Sequence, residues 1–231
     1  MTELTHYGMI GCGMMGHEHI RNITLLSDTQ VSVIFEPNKD MALKAKELAP
    51  NAIFVNSIDD LLDFKKLDCL VIVSPNFCHM SQLEQIALKR HLPILIEKPL
   101  FTDPNDIFKL EKFRDNYPSP VWVAMEYRYM PPIQTLRERV DSVTGGIKML
   151  TIREHRFPFL KKVNDWNRFN RYSGGTLVEK CCHFFDLMRL LIKSEPTKIM
   201  ASAGQSVNHF DEIYNGEIPD ILDNGYVIVE F

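Results

Sequence analysis

Short apolar runs alternate with amphipathic stretches along the first half of the chain. Residues 7–10, 31–36, 52–55, 69–73, 93–97 and 121–124 are rich in Val, Ile, Leu and Phe and are too short for helices, which predicts six strands. The 69–73 run is uniformly apolar, as a strand buried on both faces is. Helical composition fills the gaps: a segment ending near Leu26, then 39–49, 77–90 and 103–115, with Ser57 placed to cap a short helix after the third run. Strands and helices in this alternation predict an α/β fold with a doubly wound parallel sheet, which binds ligands beyond the carboxyl ends of its strands.

The second half has a different rhythm. Residues 133–140 read as a helix after a 127–132 link, 146–155 alternate as a long strand, and 174–192 read as one helix. Residues 196–206 and 223–231 read as further strands around an exposed loop at 209–220. On the 174–192 helix, Glu179, His183 and Asp186 fall at i, i+4 and i+7, a single polar stripe among leucines and phenylalanines. Lys180 points away from that stripe, as a second cation near a substrate or as a solvated neighbour.

Gly11, Gly13 and Gly16 form G-x-G-x-x-G between a strand and a helix, with Met14 and Met15 inside the loop. Such a loop cradles a pyrophosphate at a helix N-terminus. Glu36 ends the second strand, where a carboxylate accepts hydrogen bonds from both adenosine ribose hydroxyls and repels a 2′-phosphate. NAD is therefore the expected cofactor, ahead of NADP. The competing reading is a plain turn with a solvated strand end.

Two further corners lie on the same sheet edge. Lys98 follows the fifth strand between Glu97 and Pro99, where an ammonium can stabilise a substrate oxygen; the alternative is a surface lysine paired with Glu97. Ser74, Pro75 and Asn76 end the fourth strand and suit a turn against the nicotinamide or its ribose, with His79 making a structural hydrogen bond at the next helix.

Length and composition narrow the classes. The 231 residues, 45% hydrophobic, suffice for one large or two small cores, and a formal net charge of −4 carries no footprint for nucleic acid or anionic membrane. Five cysteines without framework spacing fit a reducing compartment, and residues 1–6 lack the features of a signal peptide, so the cytoplasm is expected. Glu179, His183 and Asp186 would make a poor zinc site, and no metal is expected.

These motifs, in this order, resemble the glucose–fructose oxidoreductase, inositol dehydrogenase and MocA family over nearly the whole chain. The resemblance implies a Rossmann domain over residues 1–125 and an α+β substrate domain with an open, mostly antiparallel sheet over 126–231. It implies hydride transfer between a nicotinamide cofactor and a secondary alcohol or ketone of a sugar or cyclitol. Lys98, Glu179 and His183 are the implied catalytic set; Gly11, Gly13, Met14, Met15, Gly16, Glu36, Ser74, Pro75, Asn76, His79, Glu97 and Lys98 line the cofactor.

Polar and aromatic residues in the second half, Tyr127, Arg156, Trp166, Asn167 and Arg168, suit a polyhydroxylated ring, or else a loop anchored by Trp166. Position 179 is usually aspartate in the family, and the lysine–proline bond is often cis. Relatives are dimers or tetramers built on the second-domain sheet, and they continue past the point where this chain stops. The chain is thus expected to lack the C-terminal part of that domain. A cofactor-binding, catalytically inactive family member is the alternative, and a reductase of a non-sugar substrate a third reading.

Overall fold

The computed structural model describes residues 4–231. Residues 1–3, which entered the signal-peptide reading, lie outside the described residues. The chain divides into two compact units, Met1–Ala124 and Met125–Phe231.

The first unit is a six-stranded parallel sheet. Its strands are β1 (Thr5–Ile10), β2 (Thr29–Phe35), β3 (Ile53–Val55), β4 (Cys69–Ile72), β5 (Ile94–Ile96) and β6 (Val121–Val123), in the order β3-β2-β1-β4-β5-β6. The order reverses direction between β1 and β4, the switch point at which such sheets open a crevice. The helices are α1 (Met14–Thr24), α2 (Lys39–Leu48), α3 (Ile58–Leu62), α4 (His79–Lys89) and α5 (Ile107–Asn116).

Successive strand residues point to opposite faces, so each strand feeds two cores. Met9 and Val71 pack with Ile20 and Ile23 of α1 and Ala45 of α2. Ile10, Leu70 and Ile72 pack with Leu61, Leu83, Ile86 and Phe113 from α3, α4 and α5. Most of these side chains are fully buried, which is why the runs read as continuously apolar. Asn38 and Ser57 cap α2 and α3, accepting from the Met41 and Asp60 amides.

The second unit begins with a 3-10 turn at Glu126–Tyr129 and α6 (Pro131–Thr144), whose first turn holds two prolines. Then come α7 (Asn170–Ser173), α8 (Gly175–Glu179), α9 (Cys182–Ile192) and the antiparallel pair β7 (Lys198–Gly204) and β8 (Asn224–Glu230). Asp223 accepts amide protons from Ser206, Val207 and Asn208, closing the 205–223 loop onto the start of β8.

Two expectations are corrected here. Residues 146–155 form no strand: among the described residues nothing pairs with their amides, and Met149 is 88% exposed. Alternation alone does not hold a strand without a ladder partner. The 174–192 helix is two helices. Gly174 and Gly175 have φ of +77° and +72°, and the Lys180 and Cys181 amides both reach the Thr176 carbonyl, so the chain turns between Glu179 and Cys182. Within the 127–132 stretch, Tyr127 and Arg128 of the 3-10 turn pack on α9.

Candidate active site

In the first unit the expected cofactor residues gather at the carboxyl ends of β1, β2, β4 and β5. Gly11 has φ +87°, and a Cβ there would stand 2.7 Å from the Ser74 amide nitrogen, so only glycine fits. A Cβ on Gly13 would meet nothing within 4 Å, leaving open space at the N-terminus of α1. Gly16 carries its Cα against the Gly11 carbonyl, to which a Cβ would come within 3.1 Å. Met14 and Met15 are 51% and 40% exposed beside the same opening. Open space edged by the first amides of a helix suits a pyrophosphate.

Glu36 belongs to this loop physically. Its Oε2 accepts the Cys12 amide at 2.5 Å and its Oε1 the Asn38 amide at 2.8 Å. A carboxylate has about four lone-pair sites, so capacity remains for ribose hydroxyls. Burial, with Glu36 nearby, pushes the Cys12 thiol up to about 12 and leaves it inert.

His79 is fully buried and bridges two corners: Nδ1 lies 2.7 Å from the Pro99 carbonyl and Nε2 3.0 Å from the Ser74 carbonyl. Burial lowers its pKa, against those carbonyls, which raise it. Ser74 donates to Gln82 Oε1 at 2.6 Å, and Asn76 is buried in the 3-10 turn Asn76–Cys78. Lys98–Pro99 is a cis peptide. Glu97 is turned inward: Oε1 lies 2.8 Å from His19 Nε2 on α1, and Oε2 accepts the Lys98 amide at 3.3 Å.

In the second unit, Glu179, Lys180 and His183 are all buried, at 8%, 9% and 2% exposure. Desolvating three ionisable groups together is unfavourable unless they are engaged. Lys180 donates to the Tyr127 hydroxyl and lies 3.3 Å from Glu154 Oε1, so it is no solvated neighbour. His183 stacks on Tyr127 and its Nε2 lies 3.4 Å from Glu126 Oε1. Asp186, the third member of the polar stripe, takes the guanidinium of Arg128, with Nε 2.6 Å from Oδ2.

Asn167 and Arg168 turn into the fold. Asn167 is fully buried and donates to the Leu160 carbonyl; Arg168, 2% exposed, donates Nε to Glu212 at 2.8 Å. Trp166 is half-buried, and Arg156 is exposed beside Glu154 and the Phe157 ring. Glu126 and Arg128 are the contacts that sequence reasoning missed. Acid, aromatic and base in succession just before the Pro131-Pro132 helix start is their signal.

Residues 5–125 match the Gfo/Idh/MocA oxidoreductase family, NAD-binding Rossmann fold, and residues 137–231 match the family's C-terminal alpha/beta domain. The chain belongs to the Gfo/Idh/MocA oxidoreductase family. Inositol 2-dehydrogenase of Corynebacterium glutamicum strain R is 27% identical over 237 residues, 97% of this chain and 68% of that protein. Two crystal structures share the fold. WlbA dehydrogenase from Bordetella pertussis, in complex with NADH and UDP-GlcNAcA, has a TM-score of 0.81 at 20% identity, covering 98% of this chain and 63% of that one. myo-Inositol dehydrogenase from Lactobacillus casei, in complex with NAD(H) and myo-inositol, has a TM-score of 0.73 at 19% identity with the same coverages. The chain thus spans about two thirds of the length of these Gfo/Idh/MocA relatives. No helix among the described residues is long and apolar enough to cross a membrane.

Proposed function

We propose that this chain is an NAD-dependent dehydrogenase acting on a secondary alcohol, or the corresponding ketone, of a sugar or cyclitol. The observation that carries the reading is the burial of His183 beside Glu179 and Lys180, in a chain whose other unit has a dinucleotide cradle with an acid at its rim. The inositol dehydrogenase among its relatives supports a polyol substrate. Glu36 favours NAD, because its charge repels a 2′-phosphate.

Bound nicotinamide supplies the hydride acceptor or donor. The residues of the chain do the rest. Gly13 and the first amides of α1 receive the pyrophosphate, and Glu36 the adenosine ribose. His183 takes the hydroxyl proton in oxidation and returns it in reduction. Lys98 donates to the substrate oxygen and stabilises its developing charge. Glu179 bonds a neighbouring hydroxyl or orients His183. Arg156 and Trp166 offer a donor and an aromatic face to the ring. Asn167 and Arg168 are left out of this set, because their side chains anchor the loop.

The test is NADH fluorescence during incubation of the full chain with NAD and a panel of inositols, hexoses and their acids. NADH production on one of them is the expected result. NAD binding without turnover on any polyol or ketone overturns the dehydrogenase reading in favour of a binding protein.

A further inference from the structure

Three consecutive side chains of the Glu126–Tyr129 turn grip the segment that carries His183. Glu126 Oε1 is 3.4 Å from His183 Nε2. The Tyr127 ring lies flat on the imidazole, with centroids 4.4 Å apart and planes 10° from parallel. Arg128 holds Asp186, one turn further along α9. The tyrosine is fixed in turn. Lys180 donates to its hydroxyl, sits 4.6 Å from its ring centroid, and is tied to Glu154 at 3.3 Å.

This arrangement solves a problem that the break before α9 creates. His183 sits in the first turn of a helix whose predecessor ended at Glu179, so the backbone alone holds it less firmly than a mid-helix position would. An imidazole that must present one nitrogen to a reacting hydroxyl needs its ring plane set from outside. A parallel aromatic face does this, since rotation of the imidazole about its ring bond would drive its edge into the tyrosine. The same contact covers one face of the Tyr127 ring with the imidazole.

We propose that Tyr127 is a positioning residue for His183, and that Lys180 anchors the Tyr127 hydroxyl to keep the two rings parallel. The inference rests on His183 as the proton-transferring group.

The test compares the full chain with its Y127L, Y127F and K180M variants. One readout is the split of kcat and KM on the polyol that the unaltered chain oxidises. The other is the side-chain 15N spectrum of the histidines, with His183 assigned by its disappearance in H183Q. Y127L is expected to lower kcat by about 10- to 100-fold with KM nearly unchanged, the size of effect that misplacing a reacting group produces. It is also expected to shift the His183 ring resonances. Y127F and K180M keep the stacked ring and are expected to move both readouts in the same direction by less.

A rise in KM with kcat unchanged would make Tyr127 a substrate contact and overturn the proposal, as would His183 resonances that stay in place in Y127L. Should Y127L fail to fold, unmoved His183 resonances in both Y127F and K180M overturn it. The spectra read ring position without turnover, so absence of dehydrogenase activity does not mask the result.

Discussion

The carboxylate of Glu36 accepts the Cys12 amide proton at 2.5 Å, which ties the end of β2 to the middle of the glycine loop. One side chain thus shapes the cradle and presents charge to whatever enters it. Glu36→Ala is expected to weaken NADH binding about tenfold or more, since a donor that loses its partner costs about 1–3 kcal/mol. The ratio of NADPH to NADH affinity should rise in the same variant. Nicotinamide fluorescence titrations with both nucleotides measure this; unchanged affinities would separate Glu36 from the cofactor.

Gly11 and Gly13 should respond oppositely to a methyl group. Gly11→Ala forces a Cβ into the Ser74 backbone at positive φ, and should lower stability by about 1–3 kcal/mol or more. Gly13→Ala meets open space in the protein, so its melting temperature should hold while NADH binding falls. Thermal denaturation with and without NADH distinguishes the two.

His183→Ala should lower turnover by about 10²- to 10⁴-fold, the range for loss of a general acid–base group. Asp186→Asn should behave differently, because Asp186 is held by Arg128. A stability loss of about 1–3 kcal/mol with an unshifted pH–rate profile is expected. Steady-state kinetics across pH, alongside denaturant unfolding, test both.

Acid should loosen the 205–223 loop. Burial pushes the Glu212 carboxyl up, but hydrogen bonds from His209, Tyr214 and Arg168 outweigh it and bring the pKa from 4.5 to about 2. Burial likewise opposes, and the amides of Asn208, Val207 and Ser206 outweigh it, in taking Asp223 from 3.8 to about 2. Both folded-state values are depressed, so their stabilisation is complete above the unfolded pKa and is lost as pH falls from about 4.5 toward 2. Glu212→Gln should flatten that acid limb. Melting temperatures between pH 6 and pH 2.5 check it.

Much of the first unit was legible because its signals are local. Six short apolar runs, a glycine loop and capping residues each depend on neighbours within a few positions. The second unit depended on partners that spacing does not reveal. Residues 146–155 alternate correctly yet have no ladder among the described residues. Glu179, His183 and Asp186 have helical spacing, but the two glycines and the turn at Lys180 interrupt the helix that spacing assumed. Asp186 found Arg128, 58 positions away, and Lys180 found Tyr127, 53 positions away. Contacts at such separations are made by the fold and leave no periodicity behind.

The two carbonyls that His79 faces belong to different strand ends, Ser74 after β4 and Pro99 after β5. A neutral imidazole donates to only one of them at a time. The ring therefore acts as a shared rivet with a choice of which plate to grip. Both plates are main chain, so no change of side chain at 74 or 99 could make up for a lost imidazole, and position 79 alone carries the joint between the two strand ends.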